Sequence, residues 1–599
     1  MHMLMLAVRV CLFFLCMLCW CIWLNRKYQI PVAQTPLLVI SGGGILLYYA
    51  AILNILGPAQ MLLTLAGMAL AAQAIKKEGI KALKPVMSAP MVCYGVLSLI
   101  TLLLERGRVI DHHDELAHWA IMVKRMVTNG HLPNVANTAV EFVDYPPAMA
   151  VWLKYVSDFV GFADATLYFA QAMVFFAAIF ALLPLCEKKW YGVLAVSGFG
   201  LYMMTISCAY RILTVDGILT VLCVGAVAVI MQNRSSPRRA LLQSLPVLMY
   251  LCITKNSGIF FVIAAALWLL AVNVSGPKPW LKKTKLVAMG IGLPLFTWWI
   301  WGQHVKLVFP EGMNSKHAVS AQAYGSSFAQ KTPEEIAQFN QSFMQYWFDF
   351  NENAVLRFWI SLAMFAGILI ILAAARQISV KLAVGYGAAG LVLTMAYIAS
   401  LWGTYAFSMN TNEMLVLASI TRYSRSFFDC LLAAGIILIL VYCKKTRLQG
   451  ALALTVSTML FGMVFMWGSL SSLLTPAKKY AEAARQNMWL NEKQQYNLQE
   501  NARYLVYTNG EPMDGWAERY VGRYALNTDV LDFWQFKEEA PNLNLLVKDY
   551  DYFLHLKPDD YSMAELERWG FDPGTHVLEA AELKSRLDEL SAQGLAAPK

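Results

Sequence analysis

The sequence has 599 residues, of which 58% are hydrophobic and 15% are charged, and its formal net charge is +9. Soluble domains contain about 25% charged residues, so this composition excludes an ordinary soluble protein. The positive charge does not indicate nucleic-acid binding either, because the basic residues fall in short clusters between apolar runs.

Apolar runs long enough to cross a bilayer recur from the N-terminus to about residue 473. The first run, Leu6 to Leu24, lacks a signal-peptide cleavage site and is followed by Asn25, Arg26 and Lys27, so we expect a retained span. The candidate spans are residues 6–24, 34–56, 58–75, 86–104, 165–185, 190–208, 213–231, 240–254, 257–274, 286–304, 354–374, 382–405, 427–442 and 449–473. They predict an all-α polytopic membrane protein with about 11–14 transmembrane helices.

Short basic clusters mark alternate ends of these spans. They are residues 25–27, 76–84, 188–189, 234–239, 278–285, 376–381 and 444–447. The positive-inside rule assigns all of them to the cytoplasmic face of the cytoplasmic membrane. The loops 106–164 and 305–354 and the tail are then predicted to be extracytoplasmic. We therefore predict N-terminal transmembrane helices (1–85), a transmembrane unit (86–474) and an extracytoplasmic α/β domain (475–599).

The predicted outer segments contain their own secondary structure. Apolar residues at helical spacing predict an amphipathic helix over 115–129, capped by Gly130 and lying along the membrane surface. This helix would expose Asp114 and Glu115 at its start. A capping box at Thr332 and Glu335 predicts a second outer helix. The tail predicts a helix near 476–500, strands at 503–509 and 550–556, and helices near 562–569 and 579–592.

Carboxylates are concentrated in the first outer loop. Asp114 and Glu115 follow two histidines, and Asp144 stands just before Tyr145 and a rigid Pro-Pro pair. An isolated Asp-Glu pair usually only complements a helix dipole. Two separated carboxylate sites on one loop can instead divide the roles of general base and of substrate or cation ligand.

Three histidines near these carboxylates raise the alternative of a metal site. Asp114 and His118 stand four residues apart, on one face of the predicted helix. Zinc sites usually need three or four protein ligands at recognisable spacing, and the helix offers no clear third ligand. His118 is therefore open to both a packing role and metal ligation.

Several charged residues lie at the outer ends of otherwise uncharged spans. They are Arg211, Asp216, Lys255, Arg422 and Arg425. Charge within a membrane is costly and indicates function by default, although basic side chains also reach towards the interface for solvation alone. Fixed cations at a low-dielectric surface suit the phosphate of an anionic lipid headgroup.

The first-loop motif "DELAHWAIMVKRMVTNGHLPN…FVDYPPAMAVW" resembles the first outer loop of GT-C superfamily glycosyltransferases. It is most similar to the protein O-mannosyltransferase and lipid A aminoarabinose transferase branches. Weaker similarities follow in order: Asp216, the pair Thr254-Lys255, the long loop 305–354 and the pair Arg422-Tyr423. The resemblance covers roughly residues 86–442.

This resemblance implies inverting transfer of a sugar from a polyprenyl-phosphate carrier to a glycan, lipid or protein acceptor. Asp114 would be the general base, and Glu115 would position the acceptor or the base. Asp144 would contact a divalent cation or the acceptor. Lys255 would hold the donor phosphate, with Arg422 as a further candidate.

The chain also departs from these branches. Tyr145 replaces their basic residue or histidine, the inserted trefoil-type domain is absent, and several candidate spans rather than one precede the loop. The sugar, the acceptor and any metal requirement therefore do not carry over. A transporter or flippase for a lipid-linked glycan is the main alternative, although its inverted repeats are not evident. A scaffold protein whose tail does the binding is another.

Overall fold

The computed structural model describes residues 2–137, 139–207, 209–272, 279–309, 320–481, 484–508, 515–535 and 543–593. Parts of several predicted segments lie outside these ranges. They are residue 208 of the span 190–208, residues 273–274 of the span 257–274, Lys278, residues 310–319 of the second outer loop, residues 482–483 of the first tail helix, and Asn509.

Helices dominate the described residues. Numbered in chain order, they are α1 (His2–Tyr28), α2 (Thr35–Ile52), α3 (Leu56–Glu78), α4 (Ala89–Leu104), α5 (Ala120–Asn129), α6 (Ala148–Val160), α7 (Asp164–Phe180), α8 (Trp190–Thr205), α9 (Asp216–Gln232), α10 (Pro237–Cys252), α11 (Gly258–Leu267), α12 (Pro279–Val308), α13 (Ala321–Ala329), α14 (Pro333–Tyr346), α15 (Asn353–Ala374), α16 (Val380–Phe407), α17 (Thr411–Leu415), α18 (Ile420–Tyr442), α19 (Thr446–Trp467), α20 (Leu470–Leu474), α21 (Lys478–Ala481), α22 (Gln486–Gln495), α23 (Gly515–Leu526), α24 (Leu543–Val547), α25 (Asp560–Arg568) and α26 (Ala580–Ala592). The strands are β1 (Tyr504–Tyr507), β2 (Leu531–Trp534), β3 (Tyr552–Leu554) and β4 (Val577–Glu579).

Eight helical segments of the described chain are long and apolar enough to cross a membrane. They are Leu4–Tyr28, Val32–Ile52, Leu56–Leu83, Asp164–Cys186, Asn353–Ala374, Val380–Phe407, Ile420–Tyr442 and Thr446–Trp467. Three shorter apolar helices, Ala89–Leu104, Asp216–Gln232 and Gly258–Ala271, are also present in the described chain. The eight long segments agree with the polytopic all-α class and are fewer than the 11–14 spans predicted from the sequence.

The chain divides into two compact units. The first, here called the membrane unit, comprises Met1–Arg106 and Phe142–Pro476, and the second, here called the α/β unit, comprises Gly107–Glu141 and Ala477–Lys599. Residues 107–141 of the first outer loop thus group with the tail, and the rest of that loop belongs to the membrane unit. The predicted capping box is present in the membrane unit, since Thr332 N donates to Glu335 Oε2 and Glu335 N to Thr332 Oγ1.

The α/β unit contains a four-stranded sheet in the order β2-β1-β3-β4. β1 pairs in parallel with both β2 and β3, and β4 runs antiparallel to β3. Large apolar side chains such as Trp534, Phe553 and Trp569 form its core. Both predicted strands are present, as β1 and β3, while β2 and β4 were not predicted. The predicted helix near 476–500 is divided into α21 and α22.

Helix α5 is buried rather than spread on a surface. Ala120 and Val123, on the apolar side of the predicted amphipathic helix, are fully buried, and Gly130 ends the helix in the left-handed conformation as predicted. A single π-helical turn, Glu115–Trp119, precedes α5. The prediction of an exposed helix start is wrong for Glu115, which is 5% exposed. The apolar face of α5 is therefore covered by other residues of the protein.

Arg125 of α5 ties the loop segment to the tail segment within the α/β unit. Its side chain is buried, and its Nη2 lies 2.6 Å from Asp529 Oδ2. Its Nη1 donates to the Asn527 carbonyl at 2.9 Å and to Asn501 Oδ1. A guanidinium with this many partners is an essential part of the packing, because its loss would leave Asp529 without its cation.

We expect Arg125→Met to destabilise the α/β unit by about 3–5 kcal/mol, the usual cost of breaking a buried ion pair from one side. Limited proteolysis and chemical unfolding of the full chain would measure the loss. The control is Lys493→Met, which removes the more exposed pair between Lys493 and Glu500 at 2.7 Å and should cost less than about 1 kcal/mol. Equal effects of the two substitutions would contradict the anchoring role of Arg125.

Candidate functional site

Lys255 is positioned by a tight turn between α10 and α11. Thr254 Oγ1 donates to the Tyr250 carbonyl at 2.8 Å, and the Gly258 N–H donates to the Lys255 carbonyl at 2.8 Å. A Cβ atom on Gly258 would overlap the Leu251 carbonyl oxygen, so this close return of the chain requires glycine.

Lys255 meets two other charged residues of the membrane unit. Its Nζ lies 2.7 Å from Asp216 Oδ1, and Arg422 Nε lies 3.4 Å from Asp216 Oδ2. Asp216 is the first residue of α9, and Arg422 lies in the first turn of α18. Because α9, α11 and α18 all begin near this cluster, their N-terminal dipoles add positive potential to it.

The charges of Lys255, Arg422 and Asp216 sum to a positive value, since two cations meet one carboxylate. The side chains of Asp216 and Lys255 are 8% and 12% exposed, so water screens them little. Burial by itself lowers the pKa of Lys255, but the Asp216 carboxylate outweighs this effect and the pKa lies above its ordinary value. Lys255 is therefore a permanent cation, suited to holding an anion and unsuited to acting as a base.

Aromatic rings surround the lysine. Its Nζ lies 5.7 Å from the ring centre of Tyr145 and 5.3 Å from that of Tyr423, and the Arg422 guanidinium lies 5.2 Å from the Tyr423 ring. Burial raises the pKa of Tyr145, so its phenol stays neutral. Tyr145 in turn stacks on Phe142, with ring centres 4.9 Å apart. These contacts hold the cations by cation–π attraction and leave their net charge unchanged.

A cavity of about 590 Å³ opens beside this cluster. Asp216, Lys255, Asn256 and Tyr145 contribute polar atoms to its lining, while the remaining lining is largely apolar and aromatic, including Leu219, Phe260, Ile263, Leu401 and Phe407. Trp298 Nε1 donates to Asn256 Oδ1 at 2.9 Å and orients that amide. The cavity thus combines one charged end with an apolar body, the arrangement that an amphiphilic phosphate ester requires.

Two other predicted residues of the membrane unit have different surroundings. Arg211 forms an ion pair with the buried Glu105 and donates to the Thr475 carbonyl at 3.1 Å. It is not among the described residues that line the cavity. The Asp144 carbonyl accepts from Trp301 Nε1 at 3.1 Å, and after burial its carboxylate is the next cause of the raised pKa of Tyr324, a cavity residue. Asp144 is not among the described residues that line the cavity, but its carboxylate acts on the lining residue Tyr324.

Asp114, Glu115 and His118 belong to the α/β unit. Asp114 is partly exposed, with Oδ1 at 3.5 Å from His113 Nε2. Glu115 and His118 are buried in the π-helical turn, and the His118 ring packs edge-on against Trp119 at 4.6 Å. The π turn replaces the regular helical spacing that suggested Asp114 and His118 as a ligand pair.

The possible metal donors lie next to this turn. Within the described residues, one group of three has its donor atoms within 4.8 Å of one another, and it consists of His112, His113 and Asp114. Neither His118 nor Asp144 belongs to it. The rings of His112 and His113 are stacked at 4.6 Å, whereas two imidazoles that bind one ion aim their nitrogens at a common point. The present side-chain positions therefore fit a resident metal poorly, and a divalent cation stays a prediction.

Three tyrosines of the cavity were not predicted as site residues. Tyr423 directly follows Arg422, Tyr397 lies within α16, and Tyr324 lies in the second outer loop. Of the three, only Tyr423 could have been identified from the sequence, because it stands beside the charged residue Arg422 at the end of a span. Aromatic residues are so frequent in this chain, at 13%, that the other two could not be singled out.

The fold and this cluster define a polytopic α-helical membrane protein with a small α/β unit and a cationic, aromatic-lined cavity at the ends of several membrane helices. No family model matches the sequence, and no curated protein matches it. Two solved structures are similar to it, and both are ArnT from Cupriavidus metallidurans, a GT-C lipid A aminoarabinose transferase.

The apo ArnT structure has a TM-score of 0.39 and 12% identity, covering 80% of this chain and 94% of that chain. ArnT bound to undecaprenyl phosphate has a TM-score of 0.36 and 11% identity, covering 75% and 86%. ArnT comes from one of the two branches that the first-loop motif resembles. Because both scores are low, the proposals below rest on the residues of this chain and their geometry.

Proposed function

We propose that the chain is an inverting glycosyltransferase that takes a sugar from a polyprenyl-phosphate carrier at the outer face of the cytoplasmic membrane. One observation carries the proposal: Lys255 lies at the charged end of a largely apolar cavity, and its partner Asp216 also pairs with Arg422 beside the cavity. A lipid phosphate needs fixed positive partners where water is scarce, and its hydrocarbon chain needs an apolar path.

The proposed reaction assigns a role to each group. The acceptor hydroxyl or amine attacks the anomeric carbon, and a new bond forms there as the bond to the phosphate oxygen breaks. The phosphate leaves with the electron pair, and Lys255 and Arg422 stabilise the charge that develops on it. The donor is already activated, so this chemistry requires no nucleotide.

The acceptor loses a proton as it attacks, and the sequence motif proposes Asp114 as the base that takes it. Glu115, which is buried, then fits a positioning role better than direct proton transfer. Asp144 and Tyr145 are proposed to contact substrate, Tyr145 through the cavity that it lines. The experiment below also tests whether a divalent cation assists Asp144.

The test compares lipid-linked sugars and surface glycans by mass spectrometry in cells with and without the gene, followed by the purified chain with polyprenyl-phosphate-linked sugars. In cells without the gene, we expect loss of one glycan modification and accumulation of one lipid-linked sugar. The purified chain should release free polyprenyl phosphate. Repeating that assay with a chelator tests the requirement for a divalent cation. A flippase would move the intact carrier between leaflets and release no polyprenyl phosphate. That outcome would contradict the proposal.

A further inference from the structure

A second cavity of the membrane unit lies apart from the site described above. It has a volume of about 640 Å³ and is a groove between α1, α2, α6 and α10. Its lining includes Trp20, Gly42 and Gly43. It also includes Leu46 and Leu242, which are 60% and 54% exposed. The glycines of α2 create the depth, since a Cβ on Gly42 would meet no atom within 4 Å.

Two basic residues, Lys27 and Arg239, stand among the lining residues of this groove. Both are exposed, and within the described residues neither has an ion pair or a side-chain hydrogen bond. The neighbouring Arg26 differs, because its Nη1 lies 3.2 Å from Glu78 Oε2 and it also donates to the Lys81 carbonyl. Lys27 and Arg239 therefore place two positive charges at a largely apolar groove.

The occupant must match both features. An apolar groove between helices favours acyl chains, and two cations favour a phosphate. Trp23 and Tyr28, which also line the groove, are residue types that collect at the headgroup level of a bilayer. Both basic residues belong to clusters that the sequence assigns to the cytoplasmic face, where the leaflet supplies anionic lipids.

We propose that this groove binds one anionic phospholipid of the surrounding bilayer, with its phosphate held by Lys27 and Arg239 and an acyl chain lying over Gly42. The charge of the groove selects anionic over zwitterionic headgroups, and its depth selects a lipid over a soluble phosphate. The site is independent of the proposed transfer reaction.

Native mass spectrometry of the purified full chain with phosphatidylglycerol or phosphatidylcholine tests the proposal. We expect one phosphatidylglycerol to be retained in preference to phosphatidylcholine. The double variant K27A/R239A should bind phosphatidylglycerol about thirtyfold more weakly, which is the affinity that two basic contacts to an anionic lipid usually supply. Gly42→Phe should reduce binding of both lipids by filling the groove.

The matched control is K76A/K77A, which removes two exposed charges from another cluster assigned to the same face. It should bind phosphatidylglycerol like the unaltered chain. Equal losses in the two double variants, or equal binding of the two lipids, would overturn the proposal. Retention of a polyprenyl phosphate in place of phosphatidylglycerol would overturn it as well. Thermal unfolding of Gly42→Phe separates a filled groove from a misfolded chain.

Discussion

Replacement of Lys255 by methionine is expected to lower the rate of sugar transfer about 100- to 1,000-fold, the usual effect of removing one group that stabilises a developing charge. The substitution changes the summed charge of Lys255, Arg422 and Asp216 from positive to zero, because only the pair of Arg422 and Asp216 remains charged. Donor binding should weaken with the rate, since the phosphate carries negative charge before and after transfer. Both effects are measurable with the purified chain and a polyprenyl-phosphate-linked sugar.

A second substitution separates charge from shape. Asp216→Asn in the Lys255→Met background removes the carboxylate that pairs with Arg422, which makes the summed charge of the three residues positive again. We therefore expect the double variant to bind donor more tightly than Lys255→Met alone. If donor affinity is the same in both variants, the net charge of the cluster is not what binds the donor.

The matched control for Lys255→Met is Lys154→Met. Lys154 is also a buried lysine of the membrane unit, and its Nζ lies 2.6 Å from Asp158 Oδ2, but it is not among the described residues that line the cavity. Lys154→Met should reduce stability without a selective loss of donor binding. Similar donor affinities for the two methionine variants would remove Lys255 from the phosphate site.

The sequence predicted the members of the cationic cluster but not their pairing. Asp216, Lys255 and Arg422 each stand out as a charge at the end of an apolar span, and this signal is local. Asp216 and Lys255 are 39 residues apart, and the packing of three different helices brings them together. Arg211 gives the same local signal, yet it pairs with Glu105. Sequence therefore identifies such charges, while their partners depend on the tertiary fold.

The first outer loop illustrates a different limit. Its hydrophobic periodicity correctly predicted α5 and the cap at Gly130. The same periodicity does not distinguish a membrane surface from a protein surface, because both cover an apolar face equally well. The π turn before α5 also has no clear sequence signature, so the burial of Glu115 and the position of His118 could not be predicted.

Asp114→Asn is the second substitution for which we expect a large effect, a loss of about 100- to 10,000-fold in the rate of transfer, as expected for removal of a general base. Asparagine preserves the shape of the side chain but cannot accept the acceptor proton. Asp114 is partly exposed, whereas Glu115, the next residue, is buried. Donor affinity should stay unchanged, because the phosphate is proposed to bind at Lys255.

The control for Asp114→Asn is Asp111→Asn, which makes the same chemical change three residues earlier. Asp111 Oδ1 pairs with Arg485 Nε at 3.3 Å within the α/β unit, and the pair is well exposed, so its loss should cost little stability. Transfer by this variant should stay close to that of the unaltered chain. If Asp114→Asn retains full transfer, the proton leaves by another route, and the base assignment made from the motif is wrong. If both variants lose transfer equally, the carboxylate of Asp114 has no role beyond the integrity of its loop.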